Sequence, residues 1–255
     1  MTRELSKLTF SNNRIPSDYD DLAVEVPLAI SVNSMALSVM MISPADMEDF
    51  LYGHLICESI VQSVIEVKEI QISPLHVGFE ARVEVTGRRE NALKQRRLST
   101  VSAGCGLCNK RSMEEAFPPV EYKAKLRPLS RCDVSKLRET FLANQTYNEK
   151  AGAMHAAIYV NEKKGLVLCG EDIGRHNALD KVIGQVVRQR ADPSTGYLAV
   201  TSRCGVELVQ KAVVGGFSTL YCLSSPTTMA VDMAQDAGLN LIYVPRNNEP
   251  VIYQR

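Results

Sequence analysis

The sequence lacks an excess of charge, a long apolar run and a hydrophobic leader, and each absence excludes a class of protein. The 255 residues include 29 Lys and Arg against 29 Asp and Glu, so bulk charge predicts neither nucleic-acid binding nor membrane binding. No apolar run approaches the roughly 20 residues that a membrane-spanning helix needs, and residues 1–7 lack the apolar core of a signal peptide. We therefore expect a cytoplasmic protein that binds no nucleic acid and no membrane.

Close cysteine pairs are also scarce, although the chain has seven cysteines. An odd number in a chain of this length argues against a disulfide framework. Most of them lie in apolar strings such as residues 220–223, so we interpret them as small buried hydrophobes. The seven are Cys57, Cys105, Cys108, Cys132, Cys169, Cys204 and Cys222.

The alternation of apolar and polar residues indicates two folded regions. The first combines strands within 24–42, 64–73 and 76–86 with a helix whose start Ser43 and Pro44 are expected to cap. The second alternates strands with helices, which predicts an α/β fold with a mostly parallel sheet. We expect an irregular arm at 1–20, a smaller α+β domain at 21–116, a linker at 117–130 and an α/β domain at 131–255.

Three loops of the second region are predicted to meet at one edge of its sheet. We expect strands at 156–160, 165–169, 197–201, 219–223 and 239–244, and helices at 133–148, 176–190, 205–214 and 227–237. The loops 170–176, 202–205 and 224–228 each follow a strand and precede a helix, so they lie at the carboxyl edge, where open α/β sheets bind ligands. The polar residues placed there are Glu171, Asp172, Arg175, His176, Arg203, Ser224, Ser225, Thr227 and Thr228.

The sharpest local motif is Gly104-Cys105-Gly106-Leu107-Cys108. Glycines on both sides of Cys105 leave an open backbone that another molecule can approach. Residues 88–111 carry seven Lys and Arg against one acid, and positive surroundings stabilise the nucleophilic thiolate. The pair is therefore a candidate for sulfur or redox chemistry. Half of a zinc site and an accidental pairing are the alternatives, and no second close pair completes four zinc ligands within one chain.

The string at 171–181, Glu-Asp-Ile-Gly-Arg-His-Asn-Ala-Leu-Asp-Lys, indicates a second site. Gly174 permits a tight turn before a helix start, which together with Arg175 would bind phosphate. Asp172 and His176 are expected to form a hydrogen-bonded pair. The alternative is a capped helix start with exposed charges.

His155-Ala156-Ala157 matches only the first residue of the zinc deaminase motif His-x-Glu, which a later Pro-Cys-x-x-Cys accompanies. Ala157 stands where the catalytic glutamate would be, and no Pro-Cys-x-x-Cys follows. The sequence is compatible with a deaminase scaffold that lacks the deaminase chemistry, and a lone histidine such as His155 is more often structural.

Taken together, the motifs resemble those of the FdhD family, the sulfur-carrier accessory proteins of formate dehydrogenase. The resemblance runs from about residue 25 to residue 253 and depends above all on the string at 171–181. It implies that a cysteine desulfurase loads sulfur onto Cys105 as a persulfide, with Cys108 as its helper. The sulfur then passes to the bis(guanine dinucleotide) molybdopterin cofactor of formate dehydrogenase, which holds molybdenum or tungsten. The resemblance also implies a homodimer and a cytidine-deaminase-like, three-layer second domain.

The loops at the carboxyl edge and the resemblance together imply which residues contact the cofactor, and we expect no metal ligands of the protein's own. GDP, a fragment of that cofactor, is the expected test ligand. The implied contacts are Asp172, Gly174, Arg175, His176, Arg203, Ser225, Val244, Pro245, Arg246, Asn247, Asn248 and Glu249. Three other functions are weighed against this one: a cofactor-binding chaperone that moves no sulfur, a metal-dependent hydrolase and a dithiol oxidoreductase.

Overall fold

The first part of the chain forms a four-stranded sheet covered by one helix. The structure, a computed structural model, describes residues 22–87, 134–161 and 163–253. β1 is parallel to β4, and the other neighbours are antiparallel. The α+β character predicted for this region is confirmed, whereas the predicted arm and linker lie outside the described residues. The elements are β1 (Val26–Val32), β2 (Met35–Ile42), α1 (Met47–Cys57), β3 (Val67–Pro74) and β4 (Phe79–Val85), with the strands in the order β2-β1-β4-β3.

The start of α1 differs from the prediction. Ser43 and Pro44 precede the helix, which begins at Met47 after Asp46 in a left-handed conformation with φ of 55°. The hydroxyl of Ser43 instead accepts a hydrogen bond from the backbone N–H of Ile173, at 3.2 Å. The prediction that Ser43 caps the helix is therefore wrong, because a contact with a distant segment takes the place of the local one.

The second part forms a six-stranded mixed sheet. The strand order is β10-β9-β8-β7-β5-β6. β7, β8 and β9 are parallel, whereas β5 is antiparallel to both of its neighbours and β10 is antiparallel to β9. The elements are α2 (Val134–Asn144), α3 (Asn148–Ala151), β5 (His155–Asn161), β6 (Leu166–Asp172), α4 (Arg175–Arg188), β7 (Tyr197–Arg203), α5 (Val206–Val214), β8 (Thr219–Ser224), α6 (Thr228–Ala237), β9 (Asn240–Tyr243) and β10 (Val251–Tyr253).

The prediction of a mostly parallel sheet is thus corrected to a mixed sheet. The connection between β5 and β6 is too short for a crossover helix, so the two strands form an antiparallel hairpin. β10 was not predicted. β6, β7, β8 and β9 nevertheless point the same way, since β5 is antiparallel to both β6 and β7. The expectation that three loops share one edge therefore survives the correction.

Helices cover both faces of this sheet, which gives three layers. Ala157 and Tyr159 of β5 pack in the cluster that contains the buried residues of α4, α5 and α6. Their neighbours Ala156 and Ile158 pack on the opposite face, against α2. This alternation follows from the two-residue period of a strand. No helix within the described residues is both long enough and apolar enough to cross a membrane.

The two parts of the molecule meet where α1 and α4 pack together. A Cβ added at Gly53 of α1 would lie 1.8 Å from the carbonyl oxygen of Asp180, and one added at Gly184 of α4 would lie 1.8 Å from that of Asp49. Glycine at both positions therefore lets the two helix backbones touch. This contact fixes the first sheet close to the start of α4, where the predicted phosphate site lies.

Candidate functional site

The predicted site residues of the second part meet along one edge of the six-stranded sheet. β6, β7, β8 and β9 all end at this edge, and β5 begins there, since His155 is the register partner of Asp172. Arg203 is likewise opposite Ser224 in the pairing of β7 and β8. We name this edge the rim and define it as His155 with residues 172–176, 203–207, 224–228 and 244–249. Across the sheet its segments follow the order 244–249, 224–228, 203–207, His155 and 172–176.

The carboxylate of Glu207, which was not predicted as a site residue, accepts hydrogen bonds from two predicted site residues of the rim. Oε1 of Glu207 is 2.9 Å from Nη2 of Arg175 and 2.9 Å from Nε2 of His176. Burial alone would raise the pKa of Glu207, but the hydrogen bonds from His176 and Arg175 outweigh it and lower the pKa from its ordinary value of 4.5 to about 2. One signal could have identified Glu207: it lies in the first turn of the helix that follows a rim loop.

The predicted hydrogen bond between Asp172 and His176 is wrong. The carboxylate of Asp172 is fully buried and lies 2.8 Å from Nζ of Lys181. It also accepts hydrogen bonds at 2.9 Å from the backbone N–H groups of Ser43 and Gly174 and from the side chain of Asn177. Asp172 therefore stabilises the loop 172–176 through buried hydrogen bonds and connects it to the first part of the molecule. A contact of Asp172 with the cofactor stays a prediction.

His155 is half-buried in the middle of the rim. Its burial, together with the positive charges of Arg175 and His176, lowers its pKa, and the carboxylate of Asp172 only partly opposes this. The imidazole of His155 therefore favours the neutral form at neutral pH. It contributes a polar group to a neighbourhood whose fixed positive charge comes from Arg175.

Two helices begin at the rim with glycine as the N-cap residue. Gly174 precedes α4 and Gly205 precedes α5. Neither N-cap residue has a side chain that could accept a hydrogen bond from its helix. α6 differs, because the hydroxyl of Thr227 accepts a hydrogen bond from the N–H of Ala230. Helix starts favour anions, and at the start of α5 the carboxylate of Glu207 already accepts a hydrogen bond from its own backbone N–H.

The remaining predicted contacts are divided between exposed and buried positions. Arg203, Ser225 and residues 246–249 are exposed at the rim. Val244 is buried; its N–H donates to the carbonyl of Cys222 at 2.9 Å, and its own carbonyl accepts from Arg138 of α2 at 2.9 Å. Val244 therefore anchors the segment 244–249, and the residues after it are the ones accessible to a ligand.

The predicted carrier pair, Cys105 and Cys108, lies outside the described residues. The thiols of Cys57, Cys169, Cys204 and Cys222 are buried or half-buried. Burial raises the pKa of Cys169 and of Cys222 to about 12, and it raises the pKa of Cys57 and of Cys204 well above its ordinary value. Cys204 and Cys222 are buried as predicted, whereas Cys57 and Cys169 are half-buried. Within residues 22–87, 134–161 and 163–253, no group of three or more His, Cys, Asp or Glu side chains is placed to hold a metal ion.

Comparison with known proteins connects this arrangement to one family. The sequence model of the FdhD/NarQ family matches residues 23–255. The sulfur carrier protein FdhD of Bordetella petrii is 34% identical over 235 residues, which cover 92% of this chain and 84% of that protein. The protein of the same name from Xanthomonas axonopodis pv. citri is 36% identical over 240 residues, with the same coverage.

A solved structure has the same fold. It is the crystal structure of a Desulfotalea psychrophila protein assigned as a formate dehydrogenase accessory protein. The TM-score is 0.70 at 21% identity, over 92% of this chain and 88% of that one. At this identity the likeness concerns the fold alone.

Proposed function

The chain belongs to the FdhD/NarQ family, and from that membership we propose that it is a sulfur carrier that supports formate dehydrogenase. One observation carries the proposal: proteins named as sulfur carriers are 34–36% identical to this chain over 92% of its length. The motif Cys105-Gly106-Leu107-Cys108 supplies residues of the required type in a basic segment. We place the carrier function in the cytoplasm, in a homodimer.

Cys105 is the proposed carrier. Its thiolate attacks the outer sulfur of a persulfide on a cysteine desulfurase, so that one S–S bond forms as another breaks and the donor leaves as a thiolate. Cys108 then attacks the inner sulfur of the Cys105 persulfide and expels the outer sulfur as sulfide. The two cysteines are oxidised to a disulfide in this step, which supplies the two electrons that the sulfide carries. A dithiol reductant returns the pair to its starting state.

The proposed acceptor is the bis(guanine dinucleotide) molybdopterin cofactor of formate dehydrogenase, bound as a substrate through its phosphates at the rim. Arg175 and Arg203 carry guanidinium groups, and a guanidinium group can bind a phosphate with two parallel hydrogen bonds. The start of α4, which Gly174 precedes, adds backbone N–H groups. These donors suit a diphosphate.

Intact-mass analysis after incubation with a desulfurase and cysteine tests the carrier. The wild type should gain one sulfur atom that maps to Cys105, and Cys105→Ala should gain none at this position. Cys108→Ala is the matched control: it should load sulfur normally but release little sulfide. Formate dehydrogenase that is still activated by a protein lacking both cysteines would overturn the proposal and favour a chaperone that moves no sulfur.

A further inference from the structure

Glu207 joins two rim helices through a single oxygen atom. Oε1 accepts hydrogen bonds from Arg175 and His176, which are consecutive residues in the first turn of α4, whereas Glu207 lies in the first turn of α5. Among the residues that the structure describes, Arg175 forms a side-chain hydrogen bond with Glu207 alone. The direction of the Arg175 guanidinium therefore depends on this carboxylate.

The three groups of this contact differ in their exposure to solvent. The Arg175 side chain is 30% exposed, whereas those of Glu207 and His176 are 12% and 11% exposed. The carboxylate is therefore less accessible to solvent than the guanidinium that it contacts. The more exposed guanidinium offers its remaining N–H groups to a phosphate, whereas the carboxylate is largely shielded from solvent. This arrangement favours support of Arg175 over competition for it.

Two further contacts support this arrangement: one holds the carboxylate of Glu207, and the other holds α4 and α5 together. A Cβ added at Gly205 would lie 2.4 Å from Oε2 of Glu207, so the carboxylate is folded closely against this glycine. One turn further along both helices, Lys211 of α5 lies 2.7 Å from Asp180 of α4. This second ion pair holds the two helices at the spacing that the first one requires.

We propose that Glu207 is the positioning residue of the phosphate site at the rim, where it orients Arg175 and His176 toward a nucleoside diphosphate. The inference rests on the proposed function, because it concerns the site at which the guanine dinucleotide acceptor binds. It adds a residue that contacts the ligand only through its neighbours. A ligand of this class should depend on Glu207 even though the carboxylate repels its charge.

Calorimetry with GDP tests the inference. Glu207→Gln keeps the shape of the side chain but removes its charge, and it should weaken GDP binding by about tenfold, the order found when supporting partners of metal ligands are removed. Glu207→Asp keeps the charge and should recover part of the loss. Glu84→Gln removes the same charge from an exposed position on β4 and should leave GDP binding unchanged.

A double-mutant cycle with Arg175→Ala distinguishes positioning from a general effect on the fold. If Glu207 acts through Arg175, Glu207→Gln should cause a clearly smaller further loss in the Arg175→Ala protein than in the wild type. An equal loss in both backgrounds, or GDP binding that is unchanged or tighter in Glu207→Gln, would overturn the inference and leave the proposed function intact. Failure of the wild type to bind GDP would overturn both the inference and the proposed acceptor site, whereas sulfur loading of Cys105, measured in parallel, reports on the carrier alone.

Discussion

Nζ of Lys211 lies 2.7 Å and 2.8 Å from the two carboxylate oxygens of Asp180, and both side chains are buried. Burial would raise the pKa of Asp180, but the ammonium group of Lys211 holds it below its ordinary value. Asp180 also provides the carbonyl oxygen against which Gly53 of α1 packs. One residue thus joins α5, α4 and the helix of the first sheet.

Lys211→Met should therefore destabilise the protein by about 3–5 kcal/mol, because it leaves the carboxylate of Asp180 buried with only the ring of His54, at 3.4 Å, as a partner. Urea unfolding at neutral pH measures the change. The double variant Asp180→Asn/Lys211→Met carries no buried charge at this position and should be more stable than Lys211→Met alone. A single variant that loses less than about 1 kcal/mol would show that the pair is not buried as described.

Gly53→Ala and Gly184→Ala should each destabilise the protein, although alanine is favoured over glycine in a helix by about 1 kcal/mol. The added Cβ would overlap a backbone carbonyl of the facing helix, at 1.8 Å in both cases. Pushing α1 and α4 apart should cost about 1–3 kcal/mol or more. Gly87→Ala is the matched control, since its Cβ would meet nothing within 4 Å. The midpoints of thermal unfolding of the three variants test this prediction. Equal midpoints for all three would contradict the close packing of α1 and α4.

Acid should destabilise the wild type through Glu207. Its pKa in the folded protein is about 2 against an ordinary 4.5, so its contribution is complete above pH 4.5 and is lost as the pH falls toward 2. The difference corresponds to on the order of 3 kcal/mol. Glu207→Gln should be less stable than the wild type at about pH 7, and the two stabilities should converge near pH 2. Urea unfolding of both proteins between about pH 2 and pH 7 tests the prediction. If the free energy of unfolding depends on pH in the same way in both proteins, the prediction is wrong.

Periodicity predicted most of this fold because it reports which face of an element is buried. The alternation of Val26, Leu28 and Ile30 predicted a strand, and the apolar face of 176–190 predicted α4. Pairing between distant elements leaves no such signal. The hydrogen bonds of Ser43 with Asp172 and of Arg175 with Glu207 join segments that are 129 and 32 residues apart. Local capping rules and helix spacing therefore gave Ser43 and Asp172 the wrong partners and missed Glu207.

The rim itself was predictable, because strand direction decides which loops meet. Even with β5 antiparallel to its neighbours, the loops after β6, β7 and β8 meet at one edge. Which side chains of these loops face a ligand could not be predicted, since this depends on burial. Asp172 is buried and Arg203 is exposed, although each is the last residue of its strand.

Arg203→Ala should weaken GDP binding and leave sulfur loading of Cys105 intact, because the proposed carrier and acceptor sites use different residues. Arg203 is exposed at the end of β7, opposite Ser224 and between the segments 172–176 and 244–249 in the order of the rim. Its guanidinium can bind a phosphate with two hydrogen bonds, and a charged hydrogen bond contributes about 1.5–3 kcal/mol, so we expect a loss on the order of 10- to 100-fold in affinity. Calorimetry with GDP measures it beside the mass-spectrometric loading assay.

The matched control for this experiment is Arg190→Ala. Arg190 is an exposed arginine of the same part of the molecule, but it lies just beyond the far end of α4, away from the rim where that helix begins. Because both variants remove one positive charge, a general electrostatic effect would weaken GDP binding equally in the two proteins. Only a phosphate site at the rim predicts a loss confined to Arg203→Ala. GDP binding that is equal in Arg203→Ala and the wild type would move the acceptor site away from the end of β7, while a simultaneous loss of sulfur loading would mean that the carrier and acceptor sites are not separate.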